Sequence, residues 1–214
     1  MTKRSNKKRV SEIKRKTTET TVVCKLIVDG TGKADIKTGI GFLDHMLTLF
    51  AFHGLFDLKM HVKGDLNVDI HHTNEDVAIC LGQAFKTALG ACKGIRRFGT
   101  SEVPMDEARA KVTVDIGNRF SYTGIKFKDT DIQPDLSNIK GTKQGENYSM
   151  QDGNDFLDSF AKNLAMNLHV DIASKSDMHH MLEATFKALG IAMDRATEID
   201  PRRAKEIPST KGIL

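Results

Sequence analysis

The sequence predicts an internally duplicated α+β protein, a sheet-plus-helices unit present twice, and three observations carry that prediction. The pattern His-His-x-x-Glu occurs at residues 71–75 and again at 179–183, each time opening a stretch with helical patterning. Strand-like and helix-like segments recur in the same order on either side of the middle of the chain. A short echo, Phe42-Leu43-Asp44 and Phe156-Leu157-Asp158, marks helical stretches in both halves. Each half then forms one layer of sheet with helices on one face.

Taken in order, residues 20–28 are β-branched and apolar, run into Asp29-Gly30-Thr31-Gly32 and resume at 33–37, a hairpin with a tight glycine turn. After Gly39-Ile40-Gly41, apolar residues at helical spacing predict a helix over 42–53. Phe56, Leu58, Met60 and Val62 alternate as a half-buried strand ending at Gly64, and residues 65–70 read as another short strand. A helix over 71–89 stops at Gly90. In the second half, strands are expected after Pro104, at 110–116 (Val112, Val114 and Ile116 inward) and 120–127. A polar excursion covers 128–153, followed by a helix at 155–168, a strand at 169–172 and a helix at 178–196. The expected organisation is a basic head (1–8), a first half-repeat (9–99), a second (100–197) and a C-terminal tail (198–214).

Composition narrows the class. The chain has 214 residues, 39% apolar and 28% charged, enough for one compact domain or two small ones sharing a core. No apolar run approaches a membrane span. Cys24, Cys80 and Cys92 are odd in number and widely spaced, which argues against a disulfide framework and makes a reducing cytoplasm the natural compartment. Eight of the first sixteen residues are Lys or Arg, but no aromatic residue interleaves with them to stack on bases. That head reads as a solvated terminus, and nucleic acid is not an expected partner.

The repeated pentapeptides point to metal. On a helix, residues four apart share a face, so His71 can share an ion with Glu75, and His179 with Glu183. The adjacent His72 and His180 point roughly 100° further round, which suits two ions, or one ion and a partner surface. Imidazole with carboxylate serves Mn, Fe, Zn or Ni alike, and the absence of nearby thiolates argues against a structural zinc site. His45 joins as a candidate ligand and His53, eight residues on, as a wall of the site. Arg96, Arg97, Arg119, Lys187, Ser209 and Lys211 are the groups suited to a phosphate. No Walker-type loop, Gly-x-Gly-x-x-Gly or nucleophile elbow is present, so neither a nucleotide nor serine-hydrolase chemistry is implied.

These motifs, with Thr17-Thr18-Glu19-Thr20, Thr38-Gly39-Ile40-Gly41-Phe42-Leu43-Asp44-His45, Gly94-Ile95-Arg96-Arg97-Phe98-Gly99, Pro104-Met105-Asp106-Glu107-Ala108 and Pro208-Ser209-Thr210-Lys211-Gly212, closely resemble the imidazoleglycerol-phosphate dehydratase family from about residue 9 to the end. The resemblance implies a fold like the second domain of ribosomal protein S5, duplicated. It implies a hydro-lyase of histidine biosynthesis that takes water from imidazole glycerol phosphate to give imidazole acetol phosphate. It further implies two Mn²⁺ ions per site and sites formed between subunits of a 24-subunit shell. Carried over by position, the ligands are His45, His71, His72, Glu75, His179, His180 and Glu183, with Asp155 standing where relatives place a His or an acidic residue. Glu19, Arg97, Arg119, Lys187, Ser209 and Lys211 would contact the substrate, and Glu19 or Glu183 would shuttle the carbon-bound proton. This chain departs from the family pattern at Asp177, at Gly117-Asn118 and in a longer stretch between Arg119 and Asp155. The residues alone leave two rivals, a binuclear metal-dependent phosphate-ester hydrolase and a nucleic-acid-binding module.

Overall fold

Two edge strands that the hydropathy pattern conceals turn out to hold the donor-bearing corners of the molecule. The computed structural model describes residues 9–128, 148–173 and 177–214. The basic head and most of the expected 128–153 excursion lie outside those residues.

The first half comprises β1 (Val10–Lys16), β2 (Thr20–Ile27), β3 (Ala34–Lys37), α1 (Gly41–His53), β4 (Asp57–Gly64) and α2 (His71–Leu89). The second comprises β5 (Phe98–Met105), β6 (Ala108–Asp115), β7 (Ile125–Lys128), α3 (Met150–Leu164), β8 (Asn167–Ala173) and α4 (Met178–Thr197). The sheets have the orders β1-β2-β4-β3 and β5-β6-β8-β7, the same topology twice, with the last-named edge strand parallel to its neighbour in each. The duplicated α+β architecture therefore holds.

The helices interlock across the halves. α2 packs on α3, and α4 on α1, between the two sheets. Both crossings are made close by a glycine at the same offset from its histidine pair. A Cβ on Gly82 would lie 2.7 Å from Phe160 O, and one on Gly190 would lie 2.5 Å from Phe50 O. No side chain larger than hydrogen fits either crossing. Phe50, Phe56, Phe85 and Phe160 meet between these helices, mostly edge to face with centroids 4.9–6.1 Å apart, which bonds the halves into one core.

Several local expectations are corrected. Residues 33–37 do not fold back on 20–28; β3 instead runs parallel to β4. The 29–33 turn is organised by Asp57, whose Oδ1 accepts the backbone N–H groups of Thr31 and Lys33. The true partners of β2 are β1 and β4. β1 was masked by its charges, which decorate an edge strand. β5 was masked by Pro104, tolerated because β5 is also an edge. Residues 65–70 form turns rather than a strand, residues 120–124 make only an isolated bridge through Ser121, and α3 begins at Met150, earlier than expected. Its start is set by a capping box between Ser149 and Asp152.

Candidate metal centre and anion pocket

Each His-His pair sits in the first turn of its helix, and an Asp two residues ahead accepts the backbone N–H of the first His. Asp69 Oδ1 takes His71 N at 2.8 Å, and Asp177 Oδ1 takes His179 N at 2.9 Å. These carboxylates satisfy donors that the helix start leaves open. Asp177 thus has a local structural role in this chain.

The second motif builds a compact donor set with α1. His45 Nε2 lies 2.8 Å and His179 Nε2 2.9 Å from Glu183 Oε1, and Lys187 Nζ donates to Glu183 Oε2 at 2.8 Å. The ligand atoms of His45, His179 and Glu183 all lie within 4.8 Å of one another. Two imidazole nitrogens and one carboxylate oxygen converging on one point fit a divalent transition ion. Glu183 is 7% exposed. Burial pushes its carboxyl up, but hydrogen bonds from Lys187, His45 and His179 outweigh that and hold it at about 2. His53 lies on the same side of α1, where burial, then the charge of Lys187, lowers its imidazole below the ordinary value.

His180 faces the other way, into a second group with Asp106 and Glu107 at the tip of the β5–β6 hairpin. Its Nδ1 is 3.3 Å from Glu107 Oε1. The first half mirrors this corner. His72 Nδ1 lies 3.1 Å from Asp65 Oδ2 and 3.9 Å from Glu19 Oε2, with Glu19 at the tip of the β1–β2 hairpin. The Asp65 hydrogen bond raises the His72 imidazole, desolvation opposes it, and Glu19 adds to the rise. Glu19 immediately precedes β2 and Glu107 immediately precedes β6, so the two are counterparts in the duplicated unit. Asp65, Asp106 and Glu107 were given no site role from sequence. For Glu107 the signal was available: like Glu19, it is an acidic residue directly before the second strand of its half. Among the described residues, His71, His72 and Glu75 join neither three-ligand group. Asp155 also stands apart and accepts instead from Gln151 Nε2 at 2.7 Å.

Of the groups expected to suit a phosphate, four meet. Arg97, Arg119, Ser209 and Lys211 line one cleft of about 360 Å³ together with Gly117, Asn118 and Thr210. Asp115 grips Arg97 through Nε at 2.6 Å and Nη2 at 3.0 Å, and Arg97 Nη1 donates to Pro208 O at 3.0 Å. That last bond ties the tail to the body and brings Ser209 and Lys211 to the cleft. Three of the five guanidinium donors are used, which leaves two for an anion. Arg97 holds a left-handed φ of 74°, a strained conformation of the kind found at functional sites.

Lys187 belongs with the metal-type group and not with this cleft. The two lie at opposite ends of α4. His179 begins the helix, whereas Arg97 N donates to Ala196 O near its end. Seventeen residues of helix separate these points, about 26 Å at 1.5 Å per residue. A phosphorylated molecule only a few carbons long cannot bridge that distance.

Comparison with known proteins agrees with this architecture. A family model described as imidazoleglycerol-phosphate dehydratase matches residues 38–193. The imidazoleglycerol-phosphate dehydratase of Thermoanaerobacter sp. (strain X514) is 51% identical over 207 residues, covering 96% of this chain and all of that protein. The Bacillus subtilis protein of the same name is 47% identical with the same coverage. The crystal structure of the Pyrococcus furiosus enzyme in complex with (S)-C348 superposes with a TM-score of 0.73 at 33% identity, covering 94% of this chain and all of that one. With nearly three quarters of its length matched by the family model and near-complete relatives at about half identity, the chain belongs to the imidazoleglycerol-phosphate dehydratase family.

Proposed function

We infer that this chain is a hydro-lyase of histidine biosynthesis that removes water from imidazoleglycerol phosphate, and that its site is completed by a second copy of the chain. The observation that carries the second part is the separation along α4. Anion cleft and imidazole–carboxylate group occupy opposite ends of one helix, so a single chain cannot hold both ends of one substrate. Exposed Phe52, Leu55, Phe98 and Phe120 supply apolar surface for such contacts. We assign the assembly 24 copies and the ions as two manganese per site, on the strength of the family resemblance.

The proton to be lost is on a carbon with no carbonyl beside it, so a carboxylate acting alone is too weak a base. A divalent ion held by the imidazole–carboxylate groups would supply Lewis acidity to the substrate's ring, which would then serve as the electron sink. His45, His179 and Glu183 would hold one ion, with His71, His72, Glu75 and His180 offering the remaining donors; Asp155 would stay outside the ligand set. Glu183, ionised at any physiological pH, suits a ligand rather than an acid. The cleft of Arg97, Arg119, Ser209 and Lys211 fixes the phosphate and so positions the reacting carbons. The hydroxyl next to the ring departs as water, carrying the proton that the substrate's ring N–H gives up. The Glu19 carboxylate takes the proton from the neighbouring carbon, and the resulting enol becomes the ketone of imidazole acetol phosphate. Lys187 holds Glu183 in place, and His53 walls the site beside it.

Substitution of Glu19 tests the assignment. Glu19→Gln should keep metal content and phosphate affinity while turnover falls by about 100-fold or more. Normal turnover in that variant removes Glu19 from the reaction.

A further inference from the structure

We propose that Asp76 is a positioning residue that fixes Glu19 relative to the donor motif of α2; the proposal rests on reading Glu19 as the proton-transfer group. Glu19 sits on a hairpin tip, where a carboxylate would ordinarily sample many positions. Here both legs of the hairpin are held by one buried side chain. Arg15 Nε, on the β1 leg, donates to Asp76 Oδ1 at 2.7 Å, and the Thr20 hydroxyl, on the β2 leg, donates to Asp76 Oδ2. The tip backbone is pinned as well, since Thr17 Oγ1 accepts the N–H groups of Glu19 at 3.1 Å and Thr20 at 2.9 Å. Asp76 follows Glu75 directly and lies one helical turn beyond His72, so the same helical turn carries the donors and the anchor. Asp76 is 6% exposed and Thr20 is 2% exposed, which removes water as a competitor for these bonds.

The duplicated half shows that the fold does not require this cluster. Strand pairing places Arg15 opposite Val22 and Val103 opposite Ala110, so Val103 is the counterpart of Arg15. By the same register Thr20 corresponds to Ala108 and Asp76 to Ala184, both of them buried. The second half therefore makes the same corner from Val and Ala. Burying an ion pair costs desolvation that apolar packing avoids. What it adds is direction: three hydrogen-bonding groups set the hairpin tip in one place, and that tip carries Glu19.

The test uses the full-length assembled enzyme and compares Thr20→Val, Thr20→Ser, Glu19→Gln and the Thr20→Val/Glu19→Gln double variant for kcat, KM, metal content and thermal midpoint. Misplacing a reacting group by about 1 Å costs on the order of 100-fold, so Thr20→Val should lower kcat by about 10- to 100-fold with KM and metal content unchanged. Thr20→Ser, which restores the hydroxyl, should recover kcat to within a few-fold. In the Glu19→Gln background, Thr20→Val should remove little or nothing further, because both act through one group. Wild-type kcat in Thr20→Val, a loss that Thr20→Ser does not recover, or the same fractional loss in both backgrounds would overturn the positioning role while leaving Glu19 as the base. Wild-type kcat in Glu19→Gln would instead dismiss the base and the proposal with it. Should Thr20→Val not fold, Arg15→Gln removes the other leg at a partly exposed position and is expected to lower kcat about 3- to 10-fold; no loss there overturns the proposal.

Discussion

Glu183→Gln in metal-free protein isolates the electrostatics of the imidazole–carboxylate group. The wild-type carboxylate is 7% exposed and bonded to Lys187, His45 and His179, which together hold its pKa at about 2 against an ordinary 4.5. A lowering of that size corresponds to roughly 3 kcal/mol of stability. The His45 side chain is 46% exposed, and screening there brings the expectation to about 2 kcal/mol. The sign follows from the folded pKa lying below the unfolded one. The stabilisation is fully present above pH 4.5 and is lost as the pH falls from 4.5 towards 2. The assay is urea denaturation of chelator-treated wild type and Glu183→Gln at one protein concentration, at pH 7, 4.5 and 3. Wild type should exceed the variant by about 2 kcal/mol at pH 7, and the difference should shrink to less than half of that by pH 3 on its way to vanishing near pH 2. A difference under about 0.5 kcal/mol at pH 7, or one that holds constant down to pH 3, would refute the account of this cluster.

Two further outcomes follow from neighbouring contacts. Arg97→Gln should raise KM by about 10- to 100-fold with a smaller change in kcat, because the cleft binds the phosphate in ground state and transition state alike; unchanged KM would place the phosphate elsewhere. Tyr148→Phe should cost about 1–3 kcal/mol in denaturation, because the Tyr148 hydroxyl donates at 2.9 Å to Asn74 Oδ1 inside the first donor motif and no water reaches that oxygen. A neutral result would show that Asn74 finds another partner.

What was legible in the sequence was local. The spacing of His179 and Glu183 along one helix is a property of helical geometry, and the structure brings both to one point with His45. The strict alternation of β6 and the apolar faces of α1 and α4 were legible for the same reason. The edge strands were not. β1 carries Lys14, Arg15 and Lys16 in a row and β5 carries a proline, devices that protect sheet edges and erase the usual strand signature. The members of the anion cleft were named from residue type and resemblance, but the contact that joins them, Arg97 to the Pro208 carbonyl across more than a hundred residues, is one no local pattern encodes. The hairpin-tip acids Asp106 and Glu107 look like ordinary solvated charges until the duplication sets them beside His180 as Glu19 sits beside His72.

In the proposed assembly one copy supplies the anion cleft and another the imidazole–carboxylate group of each working site. Subunit mixing tests it most directly. Arg119→Ala and Glu183→Gln enzymes, each measured alone, should be nearly inactive. Dissociated, mixed in equal amounts and reassembled with metal, they should recover about a quarter of wild-type turnover, since random pairing of halves leaves one site in four with both halves intact. Recovery no greater than the sum of the two separate enzymes would contradict the claim and return the whole site to a single chain.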